Sequence, residues 1–285
     1  MGKTIFVYDG AGQTCNRFWS LLPIIVRKMR TKENVCVLVS DRQLANFPTL
    51  LAKGYLIFPF YNNLLYRFLG FNKANYIYYI LFNNKFFIIG SKCINKLLGY
   101  DKFVDSWKET LDFHYLITDQ EKEIIRKIFL PSDAVRKIVD GEFQNFKNQS
   151  EIVIGVHIRR GDYKYFKQGI FYYDDKKYLD VMKQIEKLFS AKVSFLICTN
   201  ENFGAKEFVG VNCYRLTVTN PVHELYALTL VDYIVGPPSS FSKWASFIGD
   251  VPLMELLPEQ LCVSRNDFVI YNPINNRVSL ALSNY

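Results

Sequence analysis

The sequence lacks paired cysteines. Its six cysteines (Cys15, Cys36, Cys93, Cys198, Cys213 and Cys262) are widely spaced, with no C-x-x-C pair and only three histidines in 285 residues to help hold a metal, which speaks against structural zinc. Cys36 and Cys198 lie inside apolar runs, where a free thiol acts as a small hydrophobe, so a reducing, cytoplasmic setting is expected. Long apolar runs are missing too. The N-terminal stretch Met1-Gly-Lys-Thr-Ile-Phe-Val-Tyr-Asp9 reads as a first strand and not as a secretory signal. The aromatic region 50–100, with segments such as Tyr76-Ile-Tyr-Tyr-Ile-Leu-Phe82, is broken by Asn83-Asn84-Lys85 well short of the roughly 20 residues a crossing helix needs.

Blocks of like charge and low-complexity tracts are also absent. The 35 basic and 27 acidic residues give a formal charge of +8, but they are scattered, so no dedicated nucleic-acid arm is present. A non-catalytic nucleic-acid-binding protein, the reading furthest from an enzyme, fits poorly because the aromatics sit mainly in apolar runs. The basic balance suits nucleotide diphosphates or an anionic membrane face. With the lysine-dotted aromatic region, it raises the separate expectation of a peripheral contact at the inner face of the membrane.

What is there alternates regularly. A β-prone run over 4–8, a glycine-rich turn containing Gly10 and Gly12, helical spacing over 16–29 and a second β-prone run over 35–39 make a β-loop-α-β unit. Thr118-Asp-Gln-Glu121 is a capping box opening a helix that Pro131 closes, and Ser132-Asp133 starts another. The polar Lys147-Asn-Gln-Ser150 is the best linker, which divides the chain into domains 1–148 and 149–285. Beyond it come a buried-strand pattern over 152–158, a helix over 176–189, a strand over 193–198, a helix over 221–230, a strand over 231–235, and a helix after Gly236-Pro-Pro-Ser-Ser-Phe241. This is α/β architecture with parallel sheets, whose ligands gather at the carboxyl ends of the strands.

The chemistry concentrates there. The run Ile152-Val-Ile-Gly-Val-His-Ile158 leads directly into Arg159-Arg160-Gly161-Asp162, placing two guanidiniums at a strand's carboxyl end. An arginine fork matches phosphate oxygens and keeps its charge at physiological pH. Ser239 is placed to cap the helix that follows the second strand, turning hydroxyls and amides toward an anion. Together the two loops describe a diphosphate cradle that needs no metal. Each loop also has a plainer reading: a salt-bridged turn for the first, an ordinary N-cap for the second.

The stretch Val156-His-Ile-Arg-Arg-Gly-Asp-Tyr163, followed by Phe171-Tyr-Tyr-Asp-Asp-Lys-Lys-Tyr178, resembles the α-1,2-fucosyltransferase family. Ser239-Ser-Phe-Ser242 is similar to a motif of the wider fucosyltransferase clan, including the protein O-fucosyltransferases. The resemblance covers the C-terminal half well and the N-terminal half weakly. It implies a GT-B-like fold of two Rossmann-like domains with the active site in the cleft between them, residues 1–148 on the acceptor side and residues 149–285 binding GDP-fucose. It further implies inverting, metal-independent transfer from GDP-fucose to a galactose 2-hydroxyl of a surface glycan or lipid-linked oligosaccharide.

By the same resemblance Arg159 binds the β-phosphate, His157 contacts the nucleotide and Arg160 supports the phosphate site. Ser239, Ser240 and Phe241 would line the diphosphate and fucose, with Gly10 and Gly12 on the donor side. Asn16 either positions the acceptor or fucose or is simply a helix N-terminal residue. Asp162 either serves as the base or orients an arginine. Glu201 and Glu224 are further carboxylates with no motif behind them, and Asp174-Asp175 reads as a helix start. The chain departs from the family in Gly10-Ala-Gly-Gln-Thr-Cys-Asn16, in place of Gly-Gly-x-Gly-Asn-Gln, and in Ser240-Phe-Ser-Lys-Trp244, in place of paired tryptophans. Both changes are compatible with the donor chemistry and leave the acceptor and the linkage open; the alternative reading keeps the fold and uses another GDP-hexose donor or forms another linkage.

Overall fold

The computed structural model of the chain describes residues 4–8, 13–31, 34–38, 42–52, 102–105, 116–201 and 208–273. Gly10, Gly12 and most of the aromatic region 50–100 lie outside these residues. The chain divides into two compact units, Met1–Leu130 and Pro131–Tyr285.

In the first unit β1 (Thr4–Tyr8), α1 (Thr14–Thr31) and β2 (Asn34–Leu38) form the expected β-α-β unit. A short helix, α2 (Pro48–Ala52), and β3 (Lys102–Asp105) follow, and the three strands make a parallel sheet in the order β2-β1-β3. α1 buries Phe18, whose ring meets those of Phe47 and Phe129 edge-on at 4.9 Å each, a favoured aromatic geometry. The predicted capping box is present at α3 (Asp119–Ile128). Thr118 Oγ1 accepts from the Glu121 amide at 3.2 Å while the Glu121 carboxylate accepts from the Thr118 amide at 2.9 Å. Arg30 reaches Glu121 at 2.6 Å, and its hydrogen bond is the chief cause that holds the Glu121 pKa down at about 2.

The second unit opens with α4 (Asp133–Lys147). Although the linker reading leaves this helix with the first domain, its polar contacts are with the second unit. Asp140 accepts from the Tyr226 hydroxyl at 3.0 Å, and Lys147 pairs with Asp232 at 2.6 Å. There follow β4 (Ile152–Ile158), α5 (Asp175–Leu188), β5 (Val193–Thr199), β6 (Cys213–Tyr214) and α6 (Pro221–Leu228). The unit closes with β7 (Tyr233–Gly236), α7 (Ser240–Gly249), β8 (Pro252–Glu255) and β9 (Val269–Ile270).

The six strands run in the order β6-β5-β4-β7-β8-β9, parallel except for the last pair. β4 and β5 are buried along almost their whole length, as strands covered on both faces must be. Tyr178, Val181, Met182 and Ile185 form the buried stripe of α5, a helical period that locks it to the core shared with Ile154, Val156, Phe195 and Ile197. Among the described residues Cys15, Cys198, Cys213 and Cys262 are free thiols, and no helix is long and apolar enough to cross a membrane.

Register fixes where these strands stop. His157 pairs with Cys198 and Ile158 with Thr199, Val156 pairs with Val235, and Gly236 pairs with Glu255. Four parallel strands therefore end along one line. At Gly236 a Cβ would meet the His157 carbonyl oxygen at 2.6 Å and the His157 Cβ at 2.9 Å, so only glycine lets β7 lie this close. Gly236→Ala is expected to lower stability by about 1–3 kcal/mol, the usual range for overpacking; urea denaturation with an unchanged midpoint would contradict this packing.

Candidate functional site

The loops that leave the four aligned ends are laced to one another. The Arg160 amide donates to Asn200 Oδ1 at 3.1 Å, bridging the loops after β4 and β5. The buried Tyr163 hydroxyl donates to the Pro238 carbonyl at 2.7 Å, joining the arginine turn to the proline-serine loop after β7. The Leu256 amide donates to the Gly236 carbonyl at 2.7 Å, and Tyr173 bonds the Leu256 carbonyl at 2.8 Å. The turn itself depends on Gly161 at φ +62°, a left-handed conformation glycine adopts without a Cβ penalty.

The two arginines have different partners. Arg160 is committed: it ion-pairs with Asp175, reaches Glu201 at 3.4 Å and donates Nε to the Tyr173 carbonyl at 3.3 Å. Burial alone would lower its pKa, yet the hydrogen bond and charge of Asp175, helped by Glu201, raise it. Asp175 thus has a use beyond beginning a helix, while Asp174 is the N-cap proper, accepting from the Lys177 amide at 2.8 Å. Arg159 lies over the Tyr163 ring at 5.6 Å and pairs with Asp162 at 2.8 Å. Asp162 is the more exposed partner, 56% against 17% for the Arg159 side chain.

His157 is buried, its ring tilted at 33° against Phe241 with centroids 5.0 Å apart. Burial first, and then the Arg159 charge, depress its pKa to about 3, so it is a neutral imidazole at physiological pH. Its Nδ1 is buried with no hydrogen-bond partner, which leaves that atom unsatisfied in the structure as it stands. Ser239 caps α7, its Oγ accepting from the Phe241 amide at 3.2 Å, and Ser240 and Phe241 form the first turn beside it. The plain N-cap reading of Ser239 is thus present in the structure. Of the expected site residues, the sheet edge collects His157, Arg159, Arg160, Asp162, Ser239, Ser240 and Phe241. Asn16 lies in the first turn of α1 in the other unit and is half-buried.

Three further groups belong to this edge. Arg215 donates to the carbonyls of Thr199 and Glu201 at 3.2 Å each and lies 3.8 Å from Glu224; no pattern in the sequence marked it. Glu224 is buried on α6 beside the end of β5, and burial, only partly offset by Arg215 and the Thr199 backbone, pushes its pKa up to about 7. Lys243, where the family pattern has a tryptophan, is wholly buried and pairs with Glu255 at 3.1 Å. Among the described residues no group of three or more His, Cys, Asp or Glu side chains stands in position to hold a metal ion.

No known protein family matches the sequence, and no curated protein matches it. The fold is that of the GT-B class, α/β with Rossmann-like architecture. Fucosyltransferases are among the solved structures that share it. A mutant of Arabidopsis thaliana FUT1 in complex with GDP is 14% identical with a TM-score of 0.53, over 94% of this chain and 73% of that one. The α-1,6-fucosyltransferase NodZ, from Bradyrhizobium, co-crystallised with GDP, is 12% identical with a TM-score of 0.52, over 90% and 96%. POFUT1 in complex with GDP is 11% identical with a TM-score of 0.53, over 88% and 96%.

The shifted carboxyl sets a pH dependence. A Glu224 pKa raised from 4.5 to about 7 contributes stability that is whole below the lower value and lost as pH rises through the upper one. Glu224→Gln is therefore expected to gain stability relative to the wild type between about pH 5 and about pH 8. Urea midpoints that keep a constant difference across this range would contradict the burial of an ionisable Glu224.

Proposed function

We propose that the protein transfers fucose from GDP-fucose to a sugar hydroxyl, the galactose 2-hydroxyl of a surface glycan or lipid-linked oligosaccharide, with inversion and without a metal. The observation that carries this reading is the pairing of unlike arginines after β4: Arg160 is tied into the protein by Asp175 and Glu201, while Arg159 is presented beside Tyr163 and Asp162. The GT-B fold and the GDP-bound fucosyltransferases that share it support the choice of donor.

In the proposed reaction the acceptor oxygen attacks the fucose anomeric carbon from the face opposite the diphosphate. The bond from that carbon to the diphosphate oxygen breaks, and GDP leaves with the electron pair. Arg159 meets the charge that grows on the β-phosphate, where a fixed cation acts most strongly in the transition state. Arg160 holds the turn, and the amides and hydroxyls at the start of α7 add donors toward the diphosphate. Neutral His157 with Phe241 offers an imidazole and an aromatic face to the nucleotide. The Watson-Crick edge of guanine presents two donors, which a buried carboxylate such as Glu224 accepts.

Asp162 accepts from Arg159, which favours orientation of the arginine over service as the base. The acceptor proton then passes to solvent or to another carboxylate. Arg159→Ala is expected to reduce acceptor-dependent GDP release from GDP-fucose in EDTA by about a hundred- to a thousandfold, the usual cost of removing one such donor. Equal turnover by variant and wild type would remove Arg159 from the chemistry, and turnover of GDP-mannose in place of GDP-fucose would reassign the donor.

A further inference from the structure

We propose that the segment 164–172, which leaves and rejoins the arginine turn, is the platform on which the sugar acceptor lies, with Tyr165, Ile170 and Tyr172 as its contact side chains. The inference rests on the donor reading above and extends it to the acceptor side of the same site.

The segment is a closed excursion. It begins at Tyr163, anchored on the Pro238 carbonyl, and ends at Tyr173, whose carbonyl accepts from Arg160 at 3.3 Å and whose hydroxyl bonds the Leu256 carbonyl at 2.8 Å. Both anchors are buried. Between them Tyr165 is 80% exposed, Ile170 49% and Tyr172 39%. Three of the thirteen exposed large hydrophobic side chains among the described residues thus fall within this one short segment.

Its backbone carries a second signal. Lys167 (φ 46°) and Gln168 (φ 61°) occupy the left-handed region in succession, a costly conformation for residues with a Cβ. Such conformations persist where surrounding structure imposes them, and they cluster at binding and catalytic sites. Here the imposing structure is visible: the Phe166 ring packs tilted at 32° against those of Tyr163 at 5.1 Å and Phe171 at 6.4 Å, and the Lys167 ammonium lies 5.8 and 5.9 Å from the two phenylalanine ring centres. The phenylalanines and the lysine stiffen the inside of the loop, and the tyrosines and isoleucine face outward.

The chemistry of that outward surface fits a carbohydrate. A phenol ring offers an apolar face to the C–H side of a pyranose and a hydroxyl to its polar rim. A membrane surface fits less well. Recognition of anionic lipid takes clusters of about four to eight cations, and this segment has two, Lys164 and Lys167, the second engaged by two aromatic rings. The position is also right for an acceptor, because the loop springs from the residue next to Asp162 and ends at the carbonyl that holds Arg160.

The test uses the full chain, the double variant Tyr165→Ala/Tyr172→Ala and the conservative double variant Tyr165→Phe/Tyr172→Phe. Retention on an oligosaccharide array is measured in the presence of GDP, with GDP affinity measured by calorimetry and co-sedimentation with phosphatidylglycerol vesicles as the competing arm. The expected result is glycan retention weakened at least tenfold in the alanine variant and restored in the phenylalanine variant, with GDP affinity unchanged within about twofold. Undiminished retention in the alanine variant, no retention by a GDP-binding wild type, or loss confined to vesicle binding would each overturn the proposal. A wild type that ignores GDP but loses glycans on alanine substitution would sink the donor reading and leave the platform standing.

Discussion

A largely covered guanidinium needs its partners, and the site's arrangement follows from how Arg160, its side chain 14% exposed, finds its own. Its acceptors come from three places: the Tyr173 carbonyl, Asp175 at the start of α5 and Glu201 beyond β5. Removing one partner of such a group is far more costly than the pair is worth. The loops after β4 and β5 are therefore held together around one charge, and Arg159, the next residue back, inherits a fixed position at the carboxyl edge of the sheet. Asp162 refines it, and Tyr163 fastens the same turn to the loop before α7. One arginine serves as structure, and its neighbour is set beside it, where the proposed function puts the diphosphate.

The sheet supplies the frame for this division. Parallel strands in register end together, and the residues just past the ends of β5, β4, β7 and β8 share one edge without any long excursion. Gly236 is needed for the tightest of these approaches, against the backbone of His157. His157 pays for burial with its basicity and gains a neutral ring packed on Phe241. Burial thus sets two protonation states of the edge, a neutral imidazole at His157 and a carboxyl at Glu224 that titrates near neutrality, while Asp175 holds Arg160 in its charged form against the effect of burial.

Much of this was legible in the sequence, for reasons that are local. The run from Ile152 to Ile158 is apolar because both its faces are covered, the Thr118 capping box satisfies helix amides with side chains three residues apart, and an arginine pair straight after a buried strand has only the sheet's edge to occupy. Ser239 as an N-cap is equally local. Long-range pairings were out of reach. Arg215 joins Thr199, Glu201 and Glu224 across separations that no spacing rule connects, and Lys243 is buried against Glu255 and the Tyr271 ring, neither of them near it in the sequence. The helix over 133–147 illustrates the same limit, since amphipathic spacing gives a helix an apolar face but does not say which unit that face will meet.

The account's central claim is that this sheet edge holds a guanosine diphosphate, and calorimetric titration of GDP into the full chain in EDTA tests it most directly. The account predicts a single site that persists without divalent metal, weakens with rising salt as a charge-assisted phosphate site must, and discriminates GDP from UDP. Absence of binding, or equal affinity for the two nucleotides, would contradict it.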